Sequence, residues 1–408
     1  MMSIGQQKGN ADKRRAAEAA TKFQAAATLH MQGLTDRADA LCAQVLRDDP
    51  QHFGAWHLQG LMALQRGDLE HGVELINRSL QICPQQPAAH SNIGNALLGK
   101  KQAERALASF ERALQIHSGF AVAWANRGYA MLELGRAEEA VTSIERALQL
   151  QPQFPQAQRA LGTALMGLGR TADALRWFEK VRDAAPEDAE ANFDVGVALY
   201  KLKRFEEALA YFDRALRADI HHVKAGIKRG DCLRSMRLPE DAVAEYERVL
   251  QLHPNEVVAW NNLGNALLCM NRKEAALRAY DQALQYQPGS AEALLNRGVA
   301  LLTTKQHEVA LDSLDQALRA EPGRIEAHAA RGRVLRALGR SAESIECFRQ
   351  LLQRQPDHEL IQGHILHARL NSCDWTELDV HVELSGQLLE EGKSVGYPFS
   401  YLSVAASS

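Results

Sequence analysis

The sequence is 408 residues long and carries 47 Lys and Arg against 50 Asp and Glu, a formal net charge of −3 with histidine neutral. That balance gives no basic footprint for nucleic acid, no apolar run approaches the roughly 20 residues a membrane-spanning helix needs, and the N-terminus has no secretory signal core. These features point to a soluble, cytoplasmic protein with neither nucleic acid nor membrane as partner. Aromatic residues make up only 6% of the chain, and strand-type alternation is absent, so the expected class is all-α.

In chain order, residues 1–18 form a leader, disordered or helical. Its first thirteen residues, MMSIGQQKGNADK, are polar and glycine-containing, a composition that favours disorder. From residue 19 the sequence repeats with a 34-residue period. Gly60, Gly94, Gly128, Gly162, Gly196, Gly230, Gly264, Gly298 and Gly332 stand in phase with no insertion between them. They divide 19–358 into ten units: 19–52, 53–86, 87–120, 121–154, 155–188, 189–222, 223–256, 257–290, 291–324 and 325–358. The first is degenerate, with Ala26 at the glycine position, as suits a terminal repeat that turns one face to water.

Within a unit the glycine is position 8 and position 20 is almost always alanine (Ala106, Ala140, Ala174, Ala208, Ala242, Ala276, Ala310), whereas Gly72 stands there in its unit. Position 24 is bulky: Phe110, Phe178, Phe212, Tyr246, Tyr280 and Phe348, with Ile76 and Ile144 as aliphatic substitutes. Small residues on two facing helices let the backbones approach while large neighbours interlock around them. A mid-helix glycine costs roughly 1 kcal/mol relative to alanine, so close packing must return more than that. Position 15 holds Gly33, Gly67, Gly135, Gly169, Asn271 and Gly339, the residues that most cheaply adopt the left-handed conformation ending a helix. Prolines from Pro50 to Pro356 recur at position 32, where a second helix must stop, with Ser118 and Ile220 as exceptions. Pro87, Pro155 and Pro239 fall near helix starts. The 223–256 unit is the weakest match, with Gly226 where a bulky residue usually packs, and is expected to be locally soft.

The pattern is clearest in Val257–Ser290, with Trp260, Leu263, Gly264, Leu267, Ala276, Tyr280, Ala283 and Pro288, and it resembles the tetratricopeptide repeat (TPR). The resemblance implies a right-handed TPR superhelical solenoid of about ten helix-turn-helix repeats. It also implies a protein-binding scaffold whose concave wall is lined by the first helix of each unit. Asparagine recurs on that helix at position 6, in Asn92, Asn126, Asn262 and Asn296, with Asp194 as a relative; Asn95, Asn261 and Asn265 enrich the same wall. An amide offers both donor and acceptor, so a spaced row of them suits an extended peptide or protein partner held by its backbone. The competing reading is a solvated, helix-compatible polar face. Position-7 arginines (Arg127, Arg229, Arg297, Arg331) would make either a clamp for an anionic peptide or an ion-paired surface.

Six cysteines, Cys42, Cys83, Cys232, Cys269, Cys347 and Cys373, are scattered without a CxxC pair, which suits thiols in a reducing compartment. His364 and His367 share a helical face near Cys373, but no third ligand has suitable spacing, so no metal site is expected. No P-loop, GxSxG, HExxH or dinucleotide fingerprint occurs. The expected protein is not an enzyme and uses no cofactor.

After 358 the register breaks. Helices are expected over 359–371 and 376–391, followed by an apolar tail with Tyr397, Phe399 and Tyr401. Cys373-Asp374-Trp375 followed by Pro398-Phe399 is similar to the junction in TPR-fronted O-linked N-acetylglucosamine transferases and their SPINDLY-like relatives. In that family the array delivers protein substrates to a catalytic region that binds a UDP-sugar. No residue of that region has a counterpart here. The two readings are thus a protein-interaction scaffold, or the substrate-recruiting part of a truncated or split transferase.

Overall fold

A computed structural model describes residues 4–354 and Ile365, and side chains over 17–351 and at Ile365. The expected helices of 359–391, the Cys373-Asp374-Trp375 junction and the apolar tail lie outside the described residues. All described secondary structure is helical, and the chain divides into two compact units, Met1–Leu202 and Lys203–Ser408. The first contains α1 (Ile4–Met31), α2 (Thr35–Asp48), α3 (Phe53–Gln65), α4 (Leu69–Ile82), α5 (Pro87–Gly99), α6 (Ala103–Ile116), α7 (Ala121–Glu133), α8 (Ala137–Leu150), α9 (Pro155–Gly167), α10 (Thr171–Ala184) and α11 (Ala189–Lys201). The second contains α12 (Phe205–Ala218), α13 (Val223–Ser235), α14 (Pro239–Leu252), α15 (Val257–Cys269), α16 (Lys273–Tyr286), α17 (Ala291–Thr303), α18 (His307–Ala320), α19 (Ile325–Ala337) and α20 (Ser341–Arg354).

Odd-numbered helices are the first (A) helices of the repeats and even-numbered ones the second (B). From α3 onward A helices have 13 residues and B helices 14. Three-residue and four-residue connections complete the 34-residue period. The leader differs from its disorder-prone composition, because α1 begins at Ile4. Its alanines, lysines and arginines are strong helix formers, and they extend the first A helix by several turns.

The in-phase glycines explain the hairpins. A Cβ built on Gly94 would stand 2.5 Å from Cε1 of Phe110, and one on Gly162 the same distance from Cε1 of Phe178. Gly264 meets the Tyr280 ring, Gly230 the Tyr246 ring and Gly332 the Phe348 ring in the same way. Ile76, Ile144 and Leu314 take the ring's place against Gly60, Gly128 and Gly298. These position-24 side chains are buried, and each lies flat against the backbone of its A helix. No side chain larger than hydrogen fits position 8 without moving that ring.

Nine of the ten A–B turns close with a paired backbone motif. In the 257–290 repeat, the Asn271 N–H donates to the Leu268 carbonyl at 2.9 Å and the Arg272 N–H to the Leu267 carbonyl at 2.9 Å. The motif needs a left-handed residue between them. Gly33, Gly67, Gly135, Gly169 and Gly339 supply it, but so do Lys101, Lys203, Arg237, Asn271 and Lys305, with φ between 57° and 62°. Four of the ten turns therefore place Lys or Arg in a conformation that costs an L-residue roughly 1–2 kcal/mol, so tertiary packing overrides local preference there.

The B–A turns are tied by a side chain. Position 4 of the A helix donates to the carbonyl six residues earlier: Trp56 to Pro50 (2.9 Å), Trp124 to Ser118 (2.8 Å), Gln158 to Pro152 (2.9 Å), Asn192 to Pro186 (2.8 Å) and Trp260 to Pro254 (2.8 Å). His90 and His328 make the same contact with Pro84 and Pro322. The tie fastens seven A helices onto the end of the preceding repeat. Gly226 and Leu294 lack it, and the open side of Gly226 is filled by Val249 and Glu245.

Within each unit every A helix packs on its flanking B helices and also touches the next A helix, as α3 does α5, α5 does α7, α13 does α15 and α15 does α17. B helices make no comparable contact with one another among the described residues. The A helices thus form a continuous wall on one side of each unit. At the end of the second unit, Ile365 is buried against Ile325, Ala329, Ile345, Phe348 and Leu351, covering the apolar face of the last described repeat.

Two substitutions test these constraints. Gly264→Leu should overpack the Tyr280 contact and destabilise the protein by about 1–3 kcal/mol or more, read as a lower urea midpoint; an unchanged midpoint would contradict the close approach. Lys305→Gly should raise stability by about 1 kcal/mol by removing left-handed strain, and a loss of stability in the same titration would contradict it.

Candidate functional site

The A-helix wall gathers the polar residues that the sequence singles out, and their partners differ between the units. In the first unit, Asn92 on α5 donates through Nδ2 to Nε2 of His57 on α3 at 3.0 Å. An amide nitrogen only donates, so His57 accepts at Nε2 and is neutral in this arrangement. Burial favours the same state, holding the imidazole below its ordinary pKa. Asn95 is exposed, and Asn126 on α7 is half-buried. Neither side chain makes a hydrogen bond within the described residues.

Asp194 on α11 is committed elsewhere. It pairs with Nε of Arg159 on α9, and the same guanidinium reaches Glu190 at 2.5 Å. Burial raises the Asp194 carboxyl above its usual pKa, although Arg159 pulls it down. Asp194 is therefore one end of an inter-helix ion pair, a different task from the asparagine-like one expected of it.

In the second unit the amides form a connected row. Asn296 on α17 donates through Nδ2 to Oδ1 of Asn261 on α15 at 2.9 Å. Asn261 donates to Oδ1 of Asn262 at 3.4 Å and to Glu292 at 3.3 Å. Asn262 donates to Oδ1 of Asp231 on α13 at 2.9 Å. Asp231 is 5% exposed and also receives Lys228 Nζ at 2.8 Å and the Tyr246 hydroxyl at 2.7 Å. A buried carboxylate needs such compensation, and three donors supply it. Beside this row, the Tyr280 hydroxyl donates to Oδ1 of Asn265 at 2.8 Å.

The structure therefore brings Asn261, Asn262, Asn265 and Asn296 onto adjoining A helices but alters their roles. Asn261 is only 3% exposed and acts as an internal connector. Asn262, Asn265 and Asn296 are half-buried and keep part of their hydrogen-bonding capacity facing outward. Sequence reading missed Asp231, Lys228 and the two tyrosine hydroxyls. A signal was available: where position 24 is Tyr and not Phe, position 9 of the same repeat is Asp231 or Asn265, fifteen residues earlier.

The position-7 arginines are struts. Arg127 joins Glu111 (3.3 Å) to Ser143 (2.5 Å), Arg229 joins Asp213 (2.7 Å) to Glu245 (2.8 Å), and Arg297 joins Asp281 (2.7 Å) to Ser313 (2.5 Å). Arg331 pairs with Asp315 at 2.6 Å. Each reaches from its own repeat to the B helix of the one before. Of the two options for these arginines, the ion-paired one holds.

Cys42, Cys232 and Cys347 are buried, Cys83 is half-buried and Cys269 exposed, all as free thiols. Burial pushes Cys42 and Cys232 up to about 12, which leaves them protonated and unreactive at neutral pH. No group of three metal-ligating side chains occurs among the described residues, and no helix there is long and apolar enough to cross a membrane.

Four family models, each described as a tetratricopeptide repeat, match the chain: one over residues 31–87, 159–222 and 264–325, the others over 97–164, 245–278 and 325–358. No curated protein matches. Among solved structures, the chain is similar to yeast Tom70, at 14% identity with a TM-score of 0.51 over 92% of either chain. It is similar as well to a tetratricopeptide repeat protein from Parabacteroides merdae, at 18% identity and a TM-score of 0.52, over 62% of this chain and 99% of that one. PilF of Pseudomonas aeruginosa shares 22% identity at a TM-score of 0.46, over 51% of this chain and 94% of its own. The first two of these likenesses bear on the fold alone. With helix pairs built around in-phase glycines, and family matches through most of 31–358, the chain belongs to the tetratricopeptide repeat family, a non-catalytic repeat whose members generally serve as protein-interaction scaffolds.

Proposed function

We propose that this chain holds an extended peptide, or an extended segment of a protein partner, along its A-helix wall. The observation behind this reading is the hydrogen-bonded row in which amides of successive repeats adjoin and keep outward capacity at Asn262, Asn265 and Asn296. Asn92, Asn95 and Asn126 place amides on the first unit's A helices as well, without hydrogen bonds joining them. Backbone groups recur at fixed intervals whatever the side chains, so spaced amides bind sequence-tolerantly. Nothing on the wall is arranged for bond making or breaking.

A second reading, recruitment of substrates for an O-linked N-acetylglucosamine transferase-like enzyme, is favoured by the Cys373-Asp374-Trp375 junction alone. An open frame directly after the Ser408 codon that encodes a UDP-sugar-binding region would favour it. The chain by itself should transfer nothing from UDP-N-acetylglucosamine, and measured turnover would overturn the non-enzymatic reading.

The scaffold reading is tested on an array of mixed-sequence, unstructured twelve-residue peptides. The full chain should bind a subset, and the Asn262→Ala/Asn296→Ala double variant should bind it at least about tenfold more weakly, as expected for two or more lost hydrogen bonds. Equal affinity in a folded double variant would retire the amide wall.

A further inference from the structure

One A helix has no side chain at the position that ties it to the preceding turn. That position is Gly226 on α13; Leu294, the other departure, fills the place with its own side chain at 4% exposure. In three repeats the tie is an indole: Trp56, Trp124 and Trp260 donate to the carbonyls of Pro50, Ser118 and Pro254. Two of these rings lie against guanidinium groups. Cζ of Arg78, at position 26, is 5.1 Å from the Trp56 ring centroid, and that of Arg127, at position 7, is 5.7 Å from the Trp124 centroid.

The 223–256 repeat keeps each of those groups and lacks the ring. The carbonyl at the corresponding place is that of Ile220, which accepts no hydrogen bond among the described residues. Position 7 is Arg229 and position 26 is Arg248. Ile220, Arg229 and Arg248 line one groove of about 550 Å³ between α12, α13 and α14, with Asp213, Arg217 and Glu245 also on its walls. That size lies within the roughly 300–1,000 Å³ of small-ligand clefts. Ile220 is 58% exposed, so the groove opens to solvent. Val249 closes only the space at the Gly226 backbone, where a Cβ would stand 2.5 Å from its Cγ2. Three arginines meet two carboxylates there, and among the described residues Arg217 bonds only to the Asp213 backbone carbonyl, at 3.4 Å. Surplus guanidinium charge suits the negative face of an aromatic ring.

We infer that this groove takes a tryptophan side chain presented by a partner protein, which supplies in trans the indole that α13 lacks. The indole N–H donates to the Ile220 carbonyl, and the ring lies against the guanidinium groups of Arg229 and Arg248. Phenylalanine would offer the ring without the donor, and an acidic side chain would answer the charge but set an acceptor against the carbonyl. The groove shares no residue with the amide row. The inference and the peptide-binding reading above therefore stand or fall separately.

The probe is a five-residue peptide with blocked ends, glycine and serine flanking a central 5-fluorotryptophan, followed by fluorine NMR as the full chain is added. A saturable change is expected, with a dissociation constant on the order of 1 mM or tighter. Methylation of the indole nitrogen should weaken binding about fivefold by removing one hydrogen bond. Arg248→Gln should weaken it about threefold or more by removing a guanidinium from the ring. Gly226→Trp/Val249→Ala lets α13 fill the groove itself, with the alanine that stands at the same position in Ala113, Ala147 and Ala283. This double variant should lose the probe, whereas the matched Gly226→Ala/Val249→Ala should keep it and unfold at lower urea than the tryptophan variant. Retention of the probe by a folded Gly226→Trp/Val249→Ala chain would overturn the inference. So would an unmodified chain that fails to bind the probe, or one that binds the methylated probe equally well, neither of which depends on a variant folding.

Discussion

The contact that governs this protein is an aromatic or branched side chain lying on bare backbone. At Gly94, Gly162, Gly230, Gly264 and Gly332 a ring from the B helix occupies the space a Cβ would need. That contact fixes the distance between the two helices and the rotation of each about its axis. With the glycine-bearing face of an A helix turned to its B helix, the amides of Asn262, Asn265 and Asn296 come to lie half-buried on the wall. Buried alanines such as Ala276 and Ala310 complete the approach from the other helix. The position of the wall amides is thus a consequence of core packing.

Tyrosine makes that link chemical as well as geometric. Tyr246 and Tyr280 fill the same slot as Phe110 and Phe178, yet their hydroxyls pass beyond the glycine and reach Asp231 and Asn265 on the wall. Burial drives both phenols above their usual pKa, and the Asp231 charge adds to this at Tyr246. They therefore remain protonated donors at any physiological pH. An ordinary core residue, with one added oxygen, becomes the support for a surface amide. The Phe-bearing repeats lack that support, and Asn95, in the repeat of Phe110, is exposed with no such bond.

The parts of this architecture that repeat at a fixed period were legible in the sequence. Glycine at position 8, bulk at position 24 and glycine or asparagine at position 15 each have one dominant physical cause, so the residue types name the structure directly. What escaped reading were interactions in which several residue types do one job. Trp, His, Gln and Asn all donate at position 4, and only the shared N–H unites Trp56, His90, Gln158 and Asn192. Left-handed Lys101 and Lys305 carry no mark in their identity, because packing of the two flanking helices imposes their backbone. The asparagines were found by type, but the partners that join Asn261, Asn262 and Asn296 across helices lie 31 or 35 residues away on the neighbouring A helix, a separation set by how one repeat sits on the next. A solvated face and a bonded row look identical until that relation is known.

The repeat at 223–256 brings these strands together. It departs furthest from the pattern, with Gly226 at position 4 and therefore no tie to the preceding turn. In place of the tie stands an ionic cluster: Glu245, buried to 5% exposure, accepts from Arg229 at 2.8 Å and Arg248 at 2.6 Å, while Arg229 also reaches back to Asp213 at 2.7 Å. Burying the Glu245 carboxylate costs desolvation that its two guanidinium partners must first offset, so the cluster's net contribution is small. Yet this repeat also contains Asp231, the acceptor that orders the whole amide row of its unit. Local rules tend to be broken where a site imposes demands of its own. The missing tie and the buried carboxylate that directs the wall stand in the same repeat.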